Sequence, residues 1–256
     1  MPAQGGYDEV LERLTGIVDR RAAEQDRLGY FTAMYLAVTE TVRERAAAGR
    51  FEDAARMEQF VASFALRYLR AHDAWRAGEV CPRSWRAAFD ATRKRRPVIL
   101  QHLLLGINAH INLDLGVTAS EFAEDGSVQA VRADFDAIND VLAELVDGTQ
   151  QAVGTVSPWL DLADRIGGRG DESIIHFSLV VARRQAWSTT TRLAAMPESK
   201  RAAEIAAVDR ATGGVAYVVE HPGLAASALL LLVRARERAA PADVMALLAA
   251  VRPPVG

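Results

Sequence analysis

Residues 97–116 read PVILQHLLLGINAHINLDLG, and this stretch decides the fold. On a helical wheel with about 100° between residues, its leucines and isoleucines point in nearly every direction. The apolar positions are Leu103, Leu104, Leu105, Ile107, Ile111, Leu113 and Leu115. A helix that is apolar all round is normally buried. The pattern therefore predicts a central helix over residues 97–115, enclosed by other helices.

Polar side chains interrupt this apolar stretch at helical spacing. One slanting stripe contains residues four apart: His102, Gly106, His110 and Asp114. A second cluster lies on the opposite side of the wheel: Gln101, Asn108 and Asn112. Buried polar groups cost a few kcal/mol each unless they find partners. We therefore expect these side chains to bind neighbouring helices, a ligand, or a metal ion.

Helical spacing of apolar residues continues along nearly the whole chain, and strand-like alternation is nearly absent. Pro82, Pro97 and Pro197 mark helix boundaries, and Gly49 suits a helix end. The predicted helices lie at about 7–27, 29–48, 51–77, 82–93, 97–115, 118–123, 128–152, 157–166, 171–196, 199–211, 213–220, 222–238 and 241–250. We predict an all-α fold in which residues 1–256 form a single domain, a multi-helix bundle around the central helix.

Composition narrows the classes of function. With 30 basic and 33 acidic residues the net charge is −3, which disfavours nucleic acid as a partner. Cys81 is the only cysteine, so an intramolecular disulfide and a Cys-rich metal site are excluded. The N-terminus lacks the order of a signal peptide, and the longest apolar run, 223–233, falls short of the roughly 20 residues of a membrane span. We expect a cytoplasmic protein without a membrane span.

The slanting polar stripe contains the residues best suited to catalysis or metal binding. His110 and Asp114, at i and i+4, can form a His–carboxylate pair for acid–base catalysis, or bind a divalent metal such as zinc. His102 is a further candidate catalytic residue and metal ligand, but it lies about 12 Å along the axis from His110. Ligands from other helices or two adjacent ions would then be needed. Asn108 and Asn112 are predicted to anchor the substrate.

The predicted helix 171–196 offers the best partners from outside the central helix. Arg183 is a candidate catalytic residue, and His176 and Trp187 are candidate binding residues. The glycine-rich residues 166–170 precede this helix, and we interpret them as a connecting loop or, alternatively, a lid. If the central helix is functional, residues of this helix should line the same cavity as His110.

The string LQHLLLGINAHINLDLG, residues 100–116, resembles the signature of a family of bacterial helical proteins catalogued only as a domain of unknown function. The strings RYL at 67–69, WRAAF at 85–89, DFDAIN at 134–139 and ARRQAW at 182–187 are similar to that family too. The resemblance covers most of the chain. It implies a helical fold and a site on the central helix, and it carries no known reaction.

A more distant likeness is to the zinc-dependent phospholipase C and P1 nuclease group, whose helical motif runs H-x3-D-x3-H. The outer histidines match His102 and His110, but Gly106 stands where that motif has its bridging aspartate. Asp114 would replace it only if the site were displaced by one turn.

These patterns favour an enzyme that acts on a small, largely apolar molecule in a pocket beside the central helix. Metal-assisted hydrolysis is one subtype, and metal-free proton transfer, as in a cyclase or isomerase of secondary metabolism, is the other. The alternative from a different class is a non-catalytic ligand-binding or scaffold protein, in which the polar helix is purely structural.

Overall fold

The computed structural model describes residues 6–51, 53–123, 128–157 and 179–252. These residues form helices and no strand, which confirms the all-α prediction. The helices are α1 (Tyr7–Ala23), α2 (Gly29–Ala47), α3 (Ala54–Ala77), α4 (Arg83–Thr92), α5 (Ile99–Ala109), a π-helical segment (His110–Leu115), α6 (Gly116–Glu121), α7 (Gln129–Val156), α8 (Leu179–Ala194), α9 (Glu198–Glu220), α10 (Leu224–Arg236) and α11 (Pro241–Ala249). The predicted helix at 157–166, the loop at 166–170 and the first part of the helix 171–196 lie outside the described residues.

The predicted central helix is buried on all sides, as its apolar pattern indicates. It comprises α5, the π segment and α6, and it packs against α2, α3, α4, α8 and α9. At its beginning, the backbone N–H of Ile99 donates to the buried carboxylate of Glu237 at 3.1 Å, and Ser157 Oγ donates to the same oxygen at 2.6 Å. This carboxylate at a helix N-terminus satisfies an otherwise unpaired amide and complements the helix dipole.

The predicted end of the central helix at residue 115 is wrong. Gly116 keeps helical angles and the chain continues to Glu121 without a break. The reason is packing against α8: a Cβ on Gly116 would stand 2.8 Å from the carbonyl oxygen of Ala186. Here the missing side chain of glycine allows two helices to cross closely.

The predicted boundary between helices 199–211 and 213–220 is also wrong, because α9 continues through Thr212 without a break and also contains Gly213 and Gly214. Glycine inside a helix costs about 1 kcal/mol relative to alanine. Burial of Val208, Ala216 and Val219 along the same helix offsets that cost.

Several predicted helix ends are confirmed. Gly49 follows α2 with φ +69°, Gly78 follows α3 with φ +74°, and Pro197 lies directly before α9.

Among the described helices, no single one is long and apolar enough to cross a membrane. Helices α9 and α10 meet that test only together, across a bend of 67°.

Candidate functional site

The candidate site lies on the π segment. A π turn is rare, and such turns inside α-helices occur frequently at functional sites. His110 begins the segment and Asp114 lies one turn later. Their side chains meet, with His110 Nδ1 3.2 Å from Asp114 Oδ2, and each residue is only 3% exposed. The structure thus brings the predicted His–carboxylate pair together.

Trp85 orients the carboxylate of this pair. Its indole Nε1 donates to Asp114 Oδ2 at 2.8 Å. Because a carboxylate oxygen accepts hydrogen bonds and does not donate them, the Nδ1 of His110 that faces the same oxygen is assigned as a second donor. The lone pair of His110 is therefore on Nε2, the atom that a general base uses.

Helix α4 is positioned so that Trp85 reaches Asp114. Asp209 of α9 accepts from the backbone N–H groups of Arg83 and Ser84 at 2.8 and 3.0 Å, and from Ser84 Oγ at 2.7 Å. A carboxylate at the first turn of α4 satisfies amides that have no partner within the helix. Trp85 is the next residue along the chain and is fully buried.

Aromatic rings enclose the imidazole of His110. Phe64 stacks on it at 3.6 Å between ring centroids, Tyr35 meets it edge-on at 4.4 Å, and Phe31 and Trp85 lie at 5.7 and 6.0 Å. Burial lowers the pKa of His110, and the hydrogen bond and charge of Asp114 oppose that shift. The imidazole is therefore neutral at neutral pH.

Two buried polar atoms of this cage, His110 Nε2 and the hydroxyl of Tyr35, have no hydrogen-bond partner within the described part of the chain. Burial also raises the pKa of Tyr35 well above its ordinary value, so the hydroxyl keeps its proton. An uncompensated buried polar atom costs about 1–3 kcal/mol. The cage thus presents one proton acceptor and one proton donor among apolar walls.

His102 is separate from this pair. It lies on α5 with its ring edge-on to Tyr30 at 5.8 Å. Burial, reinforced by the positive charges of Arg27 and Arg234, lowers the pKa of His102 to about 3. Among the described residues, no three His, Cys, Asp or Glu side chains are grouped to hold a metal ion. The roles predicted for His102 in catalysis or metal binding remain predictions.

The second polar cluster of the central helix binds α9. Gln101 Nε2 donates to the carbonyl of Val219 at 2.7 Å, and Asn108 Nδ2 donates to the carbonyl of Thr212 at 3.0 Å. Asn112 Nδ2 donates to Asn108 Oδ1 at 2.9 Å. These contacts hold two helices together, and the predicted role of Asn108 and Asn112 in substrate binding stays a prediction.

Helix α8 contacts the π segment, and Trp187 on this helix packs against α7. Its ring packs on Phe135 at 5.1 Å between centroids, and the guanidinium of Arg132 lies 4.5 Å above it. Arg183 is half-buried on the same helix. His176 lies outside the described residues, so the prediction that this helix shares a cavity with His110 remains a prediction.

Sequence reasoning missed the aromatic cage. Phe31, Tyr35 and Phe64 come from α2 and α3, and their spacing reads as ordinary core. The hydrogen bond from Trp85 to Asp114 spans 29 positions, so no local pattern indicates it. The one local signal was the string WRAAF at 85–89, which forms part of the family resemblance.

Comparison with known proteins now bears on the assignment. A family model described as a family of unknown function, DUF5995, matches residues 7–222. The chain belongs to this family. This match confirms the predicted resemblance to an uncharacterised helical family. The likeness to phospholipase C and P1 nuclease stays a prediction. No curated protein and no solved structure matches the chain.

Proposed function

We propose that this DUF5995 protein is an enzyme that moves a proton on a small, largely apolar molecule beside its central helix. The observation that carries the proposal is His110 itself. Its Nδ1 is held by Asp114, whereas its Nε2 is buried and lacks a partner among the described residues. An imidazole oriented in this way is the usual form of a general base.

The aromatic cage around His110 is suited to proton transfer. His110 Nε2 accepts the substrate proton, and the resulting imidazolium is stabilised by Asp114 and by the face of Phe64. The proton then returns to another atom of the substrate, which makes the reaction an isomerisation or cyclisation. Tyr35 supplies a hydroxyl that can donate to an oxygen of the substrate. The surrounding rings favour an apolar substrate and strengthen the electrostatic interactions within the cage.

Metal-assisted hydrolysis is the second candidate. It would use His110 Nε2 as a ligand atom, with the other ligands supplied by residues other than Asp114, whose carboxylate is held at Nδ1. Metal analysis of protein purified without a His-tag, compared with His110→Ala, tests this subtype. A stoichiometric zinc ion lost in the variant would favour hydrolysis over metal-free proton transfer.

The remaining expectations belong to the same proposal. We place the enzyme in the cytoplasm, with a small molecule rather than nucleic acid as its partner. The net charge of −3 and the single cysteine support this placement.

Proton abstraction from nitrobenzisoxazole tests the proposal directly. This flat, uncharged probe loses its ring C–H proton to a base while its N–O bond breaks, and it gives a coloured cyanophenolate. We expect the wild-type protein to open the probe at least about a hundredfold faster than His110→Gln. His221→Gln, at an exposed histidine, is the matched control and should keep the wild-type rate. Equal rates for wild type and His110→Gln would contradict the proposal.

The rival is a structural network without catalysis. It predicts that His110→Gln and Asp114→Asn lose stability and that neither changes any rate. Circular dichroism and urea unfolding of the same preparations separate the two outcomes.

A further inference from the structure

Helix α10 presents an apolar face to solvent. Its sequence, LAASALLLLVRAR over Leu224–Arg236, has no charged residue before Arg234. The inner side packs with Val98 in a small core, through Ala226, Leu230 and Val233. As far as residue 235, every exposed residue of the helix is a leucine or an alanine: Leu224, Ala225, Ala228, Leu231, Leu232 and Ala235. Leu224, Leu231 and Leu232 are 94%, 51% and 59% exposed.

This face is a continuous apolar strip rather than a scatter of single side chains. With about 100° between residues, the six exposed positions fall within about 120° of the helix circumference, opposite the buried positions. A surface helix normally places charged and polar residues on this side. A contiguous exposed apolar surface is typical of a contact with a protein or with a membrane.

Basic side chains border the C-terminal end of the apolar strip. Arg234 Nε donates to the carbonyl oxygen of Arg95 at 3.1 Å, so the end of α10 lies beside residues 93–96. The exposed basic residues of these two stretches include Arg95, Arg96, Arg236 and Arg238. The acidic Glu237 is buried and accepts from the backbone N–H of Ile99. This region is therefore locally positive, although the whole chain has a net charge of −3.

The dimensions of the apolar strip distinguish a membrane from a second copy of the chain. A helix of 13 residues is about 20 Å long, so a strip about 10 Å wide covers about 200 Å². A stable protein–protein interface buries roughly 800 Å² on each partner. The same length falls short of the roughly 30 Å hydrocarbon core, so α10 cannot span a bilayer. A helix that lies in the plane of the bilayer surface needs only an apolar side with basic residues beside it.

We propose that α10 is a docking helix for the surface of a membrane that contains anionic lipids. Its leucines insert at the boundary between headgroups and acyl chains, and the neighbouring arginines bind the lipid phosphates. Burial of the leucines and attraction of the arginines act together, so a neutral bilayer satisfies only half of this surface. The proposal rests on α10 and residues 93–96 and is independent of the proton transfer proposed for His110.

Binding of the full chain to lipid vesicles tests the proposal. The probes are vesicles of equal parts phosphatidylglycerol and phosphatidylcholine, compared in a flotation assay with vesicles of phosphatidylcholine alone. We expect the anionic vesicles to bind at least about tenfold more tightly than the neutral ones. Because salt screens the arginines, the binding should weaken as the salt concentration rises.

Leu232→Gln tests the contribution of the apolar strip. Glutamine keeps a good helix propensity and removes the apolar side chain, so binding to the anionic vesicles should weaken about fivefold. Val181→Gln is the matched control, because it removes a side chain of similar exposure, 61%, from α8. This control should bind the vesicles as the wild type does.

Arg96→Glu tests the contribution of the positive charge, and it should weaken binding to the anionic vesicles at least about fivefold. Lys200→Glu is the matched control. Lys94, in the same stretch as Arg96, pairs with Glu220 at the end of α9, whereas the exposed Lys200 lies in the first turn of α9, about 30 Å away along the helix. Charge reversal at Lys200 should therefore change the binding much less.

Circular dichroism checks that each of these surface variants remains helical. The proposal is overturned if the wild type does not prefer anionic vesicles, or if Leu232→Gln or Arg96→Glu binds them as tightly as the wild type. It is also overturned if light scattering shows a stable dimer that Leu232→Gln dissociates, in place of vesicle binding. None of these measurements involves turnover, so their outcome is separate from that of the proposed enzyme activity.

Discussion

Trp85 holds Asp114 through a buried hydrogen bond, with its indole nitrogen 2.8 Å from the carboxylate oxygen Oδ2. The bond connects α4 to the π segment across 29 positions of sequence. The same oxygen faces His110 Nδ1, so the indole orients the carboxylate that leaves Nε2 of the imidazole to accept a proton.

Trp85→Phe should test the role of the indole N–H. The substitution keeps an aromatic ring and removes the donor to Asp114, which leaves a buried carboxylate oxygen with one partner fewer. We expect a loss of unfolding free energy of about 2 kcal/mol, measured by urea unfolding. Trp75→Phe is the matched control, because it removes a similar hydrogen bond to Asp90 at a half-buried site. This substitution should lower the free energy of unfolding by less. A Trp85→Phe protein as stable as wild type would contradict the importance of the bond.

Gly106→Ala should destabilise the protein because a Cβ at this position would stand 2.3 Å from the ring of Phe31. Phe31 cannot give way freely, since it lies among the rings of Tyr35, Tyr68 and Trp85. We expect a loss of about 2 kcal/mol, as in other overpacked cores. In Gly16→Ala, a new Cβ on the exposed face of α1 meets no atom within 4 Å, and helix propensity predicts a gain of about 0.5 kcal/mol. Equal effects of the two substitutions would show that the contact between α2 and α5 is loose.

Acid should destabilise the fold through His102. Its pKa falls from 6.5 in the unfolded chain to about 3 in the folded protein. The unfolded state therefore binds more protons between these values, and stability is complete above about pH 6.5 and is lost as the pH falls below it. We expect His102 alone to remove about 2 kcal/mol between pH 7 and about pH 5. In His102→Phe the slope of stability against pH over this range should be shallower, and an unchanged slope would contradict the assignment.

The sequence predicted the central helix and the His110–Asp114 pair because both depend on local spacing. Four residues on a helix bring two side chains together whatever surrounds them. It could not predict Phe64 stacked on His110, since that contact joins α3 to the π segment and depends on how whole helices pack. Nor did it predict the π turn, because the helical pattern of residues 97–116 does not distinguish a π segment from an α-helix.

Some predicted helix ends were wrong because packing between helices outweighed the local sequence pattern. The predicted helices ended at residues 115 and 211, yet the observed helices continue through Gly116 and through Thr212. At Gly116 the small residue serves the close crossing of α8. The same crossing explains why the central helix is longer than its apolar pattern indicates.

Nitrogen NMR of the His110 imidazole tests the central claim most directly. With Asp114 in place, the proton should reside on Nδ1 and the lone pair on Nε2 at pH 7 and above, because burial lowers the pKa of His110 and keeps the ring neutral there. Asp114→Ala provides the comparison: it removes the acceptor that holds the proton on Nδ1, so the ring should populate both tautomers and proton abstraction from the nitrobenzisoxazole probe should slow down. A wild-type His110 that carries its proton on Nε2, or that is a cation at pH 7, would contradict the account.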